Sequence, residues 1–100
     1  MTDPLTASLD HEVRAEKAGT LGRLLERLDT RLENLRTVAD NADPEEHDRI
    51  LQDAADALWH VVIQRELCGF GQTQRFLRDR NVPAAVQSRM GISKASRNSA

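Results

Sequence analysis

Side chains able to bind a metal or act as a nucleophile are few in this chain of 100 residues. They are the histidines His11, His47 and His60, the single cysteine Cys68, and the acidic residues. Spacings typical of metal sites, such as His-x-x-x-His, Glu-x-x-His and Cys-x-x-Cys, do not occur in the sequence. The sequence therefore predicts no metal site and no cofactor.

Cys68 is the one candidate nucleophile, with Arg65 and Glu66 close by in sequence. It precedes Gly69 at the predicted C-terminal end of a helix, where the negative end of the helix dipole disfavours a thiolate. An enzyme built on these three residues is the least favoured of three functional hypotheses. We expect a protein without catalytic activity.

Basic residues are concentrated towards the C-terminus. Residues 65–100 hold seven Arg or Lys against two acids, a balance of +5, whereas residues 1–64 hold seven against fourteen, a balance of −7. Clustered Arg and Lys attract phosphate, so a nucleic-acid-binding or transcription accessory role is the alternative function. Its candidate anion contacts are Arg75, Arg78, Arg80, Arg89, Lys94 and Arg97.

Residues 86–97 are similar to the middle of a helix-turn-helix, in which a glycine turn joins two helices. Gln87 stands where such motifs place a small residue, and Arg97 stands where they bury an aliphatic one. We therefore expect residues 92–100 to form a flexible, solvated basic tail, and residues 1–91 to form a single helical domain.

A leucine seam predicts the element that organises this domain. Leucines recur at alternating spacings of four and three, which only an α-helix brings onto one face. They are Leu21, Leu25, Leu28, Leu32 and Leu35, and the pattern extends to Ala18 and Ala39. We predict a first helix that begins between Thr6 and Ser8 and ends near Ala39.

The second helix has a clear start signal. Asp43 can cap it, Pro44 suits the first helical position, and Glu46 completes a capping box. We expect this helix to end near Cys68, with Gly69 and Gly71 supplying left-handed residues. The short connection over residues 40–43 makes the two helices antiparallel.

Apolar residues of the second helix lie on three stripes, so it should be the central element. The stripes are Leu51, Ala54, Ala55, Leu58 and Val62; then Ile50, Ala57, Val61 and Cys68; then Trp59 and Ile63. Two short helices should follow, over 74–80 after a Thr73 cap and over 84–90, ended by Asn81 and Gly91. We expect them to pack on the open end of the hairpin and cover Leu9 and Val13.

Two arginines fall on apolar faces of the predicted helices. Arg14 lies on the leucine seam and Arg65 near the main stripe of the second helix, where an unpaired charge is costly. We predict ion pairs from Arg14 to Glu66 and from Arg65 to Glu12 or Glu16. The other hypothesis for these arginines is a clamp for an anionic ligand.

A patch of small residues interrupts the first helix. It comprises Ala15, Ala18, Gly19 and Gly22, and each glycine costs the helix about 1 kcal/mol relative to alanine. We expect close packing within the molecule to explain the glycines; a groove for a partner, or for a bulky side chain such as Trp59, is the other hypothesis.

Composition excludes several protein classes. One cysteine rules out an internal disulfide and fits the cytoplasm, and no apolar run is long enough to span a membrane. A chain of this size has a thin core, which favours self-association. We therefore expect a homodimer, with Phe70 and the apolar residues above among its interface candidates. A further protein partner is a second hypothesis for the same surfaces.

The sequence resembles a family of small bacterial proteins described as a domain of unknown function. Matching stretches are Glu16-Lys17-Ala18, Leu21-Gly22-Arg23, Val82-Pro83 and Arg89-Met90-Gly91, and above all the run Trp59-x-x-x-x-Gln64-Arg65-Glu66-x-Cys68-Gly69. The resemblance spans about residues 8–91, with the tail outside it, and implies a bacterial, cytoplasmic protein without a stated activity. Together these patterns predict an all-α helical hairpin that serves as an interaction and oligomerisation module.

Overall fold

The computed structural model describes residues 4–91. Within this range the chain forms four α-helices and no strand. They are α1 (Pro4–Thr37), α2 (Pro44–Leu67), α3 (Thr73–Asp79) and α4 (Ala84–Arg89). The first two helices form a long antiparallel hairpin, so the predicted all-α class is confirmed. The predicted tail, residues 92–100, lies outside the described residues.

The core lies between α1 and α2 and continues to α4. Leu21, Leu28 and Leu32 of the leucine seam are buried, and Leu25 and Leu35 pack against them at its edge. From α2, the core takes Leu51, Ala54, Ala55, Ala57, Leu58, Val61 and Val62. Because α2 packs against α1 and also against α4, the prediction that it is the central element is confirmed.

The connection between the long helices is a single 3₁₀ turn, Ala39–Asn41. Ala39 is buried there, and Asp43 then starts α2 by accepting a hydrogen bond from the main-chain N–H of Glu46 at 2.8 Å. Pro44 takes the first helical position, as predicted. The Glu46 carboxylate accepts a hydrogen bond from Arg49 Nε at 3.1 Å, so the negative charge of Glu46 is paired with a residue of the same helix.

Several predicted helix boundaries are wrong. Helix α1 begins at Pro4, ahead of Thr6 and Ser8, because proline itself suits the first turn. Gly69 is left-handed as predicted, with φ +85°, whereas Gly71 is not. Gln72 takes the second left-handed position, with φ +58°, so Thr73 is the first residue of α3 and provides no cap.

Helices α3 and α4 run back along the side of the hairpin from its open end. Leu77, Val82 and Val86 are buried and join the core. Asn81 (φ +53°) and Gly91 (φ +81°) follow these helices in the left-handed conformation, as predicted. This path places the short helices beside the middle of the hairpin.

Candidate interaction site

The open end of the hairpin exposes a length of α1 that no described element covers. The end of α2 contacts α1 at Lys17, whose carbonyl accepts from Gln64 Nε2 at 3.1 Å and lies 3.7 Å from Cys68 Sγ. Towards Pro4, α1 continues for thirteen residues, about 20 Å at 1.5 Å per residue. We call residues 4–13 the overhang.

Apolar side chains lie along the overhang at intervals of four residues. Leu9 is 54% exposed and Val13 is 48% exposed, and Leu5 is also largely exposed. The prediction that the short helices cover Leu9 and Val13 is wrong. Arg80, just after α3, contacts Asp29 in the C-terminal half of α1 at 2.6 Å, so the C-terminal segment turns away from the overhang.

A groove of about 520 Å³ lies where the overhang meets the end of α2. Leu67 and Phe70 form one side and are 58% and 54% exposed, while Arg14 and Lys17 lie on the other side. Ala18, Leu21, Cys68 and Gly69 complete the lining. We call this the open-end groove. It combines an apolar surface with positive charge.

The predicted ion pairs at this end of the hairpin are wrong. Arg14 and Glu66 are exposed, and among the described residues neither forms an ion pair. Arg65 instead donates from Nη2 to the Gly71 carbonyl at 2.9 Å, with its guanidinium over the rings of Phe76 and Phe70. The loop after α2 folds back over Arg65, whereas Glu12 and Glu16 stay exposed on α1.

Neither glycine of α1 lies at a close contact within the molecule, so the expectation that such packing explains them is also wrong. A methyl group on Gly22 would meet nothing within 4 Å, and one on Gly19 would meet only Arg23 Nη1, at 3.7 Å. Ala15 and Ala18 are exposed as well. Trp59 does not reach this patch; its ring lies beside Gly91, 3.5 Å from the position of an added methyl group.

The arginines predicted to contact anions are scattered and partly paired. Arg80 pairs with Asp29 and Arg89 pairs with Asp48, while Arg75 lies 3.9 Å from Asp79. Arg78 is exposed on α3. Lys94 and Arg97 lie outside the described residues. In the described part of the chain, Arg75 and Arg80 line one groove whereas Arg78 and Arg89 lie outside it, so the four side chains do not form a single basic patch.

The stripe of Trp59 and Ile63 on α2 extends one turn further than predicted. Leu67 follows Trp59 and Ile63 at intervals of four, and all three are at least partly exposed on one side of α2. The same spacing relates Leu5 to Leu9 and Val13. The repeat of four was therefore the signal in the sequence that could have identified both Leu5 and Leu67.

Within residues 4–91, no group of three or more His, Cys, Asp and Glu side chains is arranged to hold a metal ion. None of the helices in this range is long and apolar enough to cross a membrane.

Comparison with known proteins decides the family. The family described as "Family of unknown function (DUF6665)" matches residues 1–98 of this chain. The chain belongs to this family. No curated protein and no solved structure matches it. The DUF6665 match includes residues 92–98, so the expectation that the basic tail lies outside the family resemblance is wrong.

Proposed function

We propose that this protein is a non-enzymatic helical interaction module of the bacterial cytoplasm that pairs with a second copy of itself through the overhang. The observation that carries the proposal is the apolar stripe on the overhang, where Leu9 and Val13 remain about half exposed. An amphipathic helix without a covered apolar face is typical of a surface that another helix completes. The single cysteine of the chain fits a reducing compartment.

Charge complementarity favours a second copy as the occupant. On the overhang, Asp10 and Glu12 flank the apolar stripe, whereas Arg14 and Lys17 line the open-end groove. If two overhangs run antiparallel and cross near Val13, Asp10 of each copy lies near Lys17 of the other, because both residues project from the same side of the apolar stripe. Leu9 of each copy then meets Lys17 and the groove of the other. Such an interface is self-complementary, as two-fold dimers require.

Solution mass tests the proposal. Light scattering on the full chain should give a mass near twice 11.2 kDa. The double substitution Leu9→Glu, Val13→Glu should give a folded monomer, because it places four acidic side chains against the apolar interface of the pair. Val38→Glu is the matched control, because Val38 and Val13 are both 48% exposed and Val38 lies far from the overhang. The control should remain a dimer.

Exchanging the charges of the overhang tests whether the dimer forms through this interface and not through another surface. Asp10→Lys with Glu12→Lys should weaken the dimer by placing like charges together, and adding Arg14→Glu with Lys17→Glu should restore it. A monomeric native chain would contradict the proposal. So would a dimer that the Leu9 and Val13 substitutions leave intact.

A further inference from the structure

A second groove, which shares Phe70 with the open-end groove, carries positive charge on an aromatic surface. It has a volume of about 540 Å³ and lies between the end of α2, the loop after it, and α3. Arg65, Arg75 and Arg80 line it together with Phe70, Phe76 and Leu25, and Asp79 contributes one carboxylate to the lining. We call it the arginine groove. A cleft of this size accommodates a small organic molecule.

Arg65 is the fixed cation of this groove. Its guanidinium carbon lies 4.3 Å from the centre of the Phe76 ring and 5.4 Å from that of Phe70. Nη2 donates to the Gly71 carbonyl at 2.9 Å. These contacts hold the guanidinium in one plane, and they are made by rings and by a main-chain carbonyl.

Arg65 also has no carboxylate partner in the described part of the chain, where the ion pairs involve other residues. A guanidinium has five N–H donors, and the Gly71 carbonyl occupies one nitrogen. A partly buried cation without a counter-charge attracts an anion, and its planar fork matches a carboxylate or a phosphate.

The other two arginines differ in how firmly they are held. Arg80 forms an ion pair with Asp29, with 2.6 Å between Nη1 and Oδ1, and its guanidinium carbon lies 5.5 Å from the centre of the Phe76 ring. Arg75 lies 3.9 Å from Asp79, and both side chains are mostly exposed, so their attraction is weak. Arg75 can therefore turn towards an anion held by Arg65 at little cost.

We propose that the arginine groove binds a small organic anion in which a carboxylate or phosphate is attached to a planar ring. The charged group would lie against Arg65 and Arg75. The ring would lie against Phe70, whose side chain is 54% exposed, with Leu25 nearby. This site does not depend on self-association, although Phe70 also borders the open-end groove.

Titration with simple probes tests the chemistry of the site. Phenyl phosphate, added to the ¹⁵N-labelled full chain, should shift the amide resonances of residues 70–76 saturably. It should bind about ten-fold tighter than either inorganic phosphate or phenol, because each of these supplies only half of the ligand; a factor of ten is about 1.4 kcal/mol. Benzoate distinguishes a carboxylate site from a phosphate site. Equal binding of phenyl phosphate and inorganic phosphate would overturn the proposal, as would tighter binding of oligothymidylate than of phenyl phosphate.

Variants locate the site. Arg75→Gln should weaken phenyl phosphate binding several-fold, and Arg65→Lys should weaken it further because the fork is lost while the charge remains. Arg78→Gln is the matched control, since it removes the same charge from the same helix but does not line the groove. Circular dichroism verifies that each variant folds. If Arg65→Lys does not fold, the affinity of Arg75→Gln for phenyl phosphate tests the proposal. Equal effects of Arg75→Gln and Arg78→Gln would overturn the proposal.

Discussion

Leu28 of α1 and Leu58 of α2 are both completely buried and belong to one core cluster, although thirty residues separate them in sequence. This relationship is the structural basis of the hairpin. It also explains why the leucine seam was informative, since a seam that regular needs a facing helix with a comparable apolar stripe.

Truncation of either leucine should destabilise the fold. We expect Leu28→Ala and Leu58→Ala each to lower the free energy of unfolding by about 2–5 kcal/mol, because each leaves a cavity in the core. Val38→Ala, at a side chain that is 48% exposed, should cost well under 1 kcal/mol. Urea denaturation followed by circular dichroism measures all three. Similar losses at all three positions would show that the core does not lie between these helices.

The Asp43 cap gives a second prediction. Asp43→Ala should cost about 1 kcal/mol, because the N–H of Glu46 loses its acceptor, whereas Asp43→Asn should be nearly neutral. Asp40→Ala, in the neighbouring 3₁₀ turn, is the control and should have little effect. The urea midpoints of the three variants check this, and an equal loss for Asp40→Ala and Asp43→Ala would refute the capping role.

A titration of Glu46 gives a third prediction. The side-chain hydrogen bond from Arg49, reinforced by its charge, holds the pKa of the Glu46 carboxyl below its ordinary value of 4.5. A carboxyl with a lowered pKa in the folded chain stabilises the fold above pH 4.5, and this contribution is lost as the pH falls through the folded pKa. NMR titration of the carboxyl carbon should show the lowered pKa. It should return towards 4.5 in Arg49→Gln; an unchanged midpoint in that variant would exclude Arg49 as the cause.

Replacing two glycines by alanine should change the stability of the protein in opposite directions. Gly22→Ala should stabilise the protein by about 1 kcal/mol, because the helix gains propensity and the methyl group meets nothing within 4 Å. Gly69→Ala should destabilise it by about 1–2 kcal/mol, because Gly69 has a φ of +85°. Thermal unfolding of both variants measures the signs. A destabilised or dissociated Gly22→Ala protein would mean that a second interface lies on the glycine face of α1.

Much of the fold was predictable because its signals are local. The leucine seam, the Asp43-Pro44 start of α2 and the left-handed Gly69 each depend on a few neighbouring residues. The path of α3 was harder to predict, because Gln72, and not Gly71, adopts the left-handed conformation that starts it. The left-handed Gln72 therefore starts α3 at Thr73, one residue earlier than the sequence predicted.

Errors about the site follow from that path. Once α3 and α4 run along the side of the hairpin, the overhang is left uncovered and Arg65 faces Phe76. The prediction that Arg65 pairs with Glu12 or Glu16 was based on charge alone. Long-range packing of the C-terminal segment determines the neighbours of Arg65 instead. Helix periodicity contains no information about that packing. The exposed stripes at intervals of four were available in the sequence, whereas the grooves beside them were not.

Cross-linking between two copies tests most directly whether the overhang of one copy enters the open-end groove of the other. In Leu9→Cys the introduced thiol and Cys68 lie too far apart to bridge within one chain, because Cys68 contacts Lys17 and eight residues of helix, about 12 Å, separate Lys17 from position 9. Mild oxidation should therefore give a covalent dimer, and peptide mapping should join position 9 of one copy to Cys68 of the other. Val38→Cys should give no such link. A Leu9→Cys protein that stays monomeric under oxidation, or links only position 9 to position 9, would contradict this arrangement.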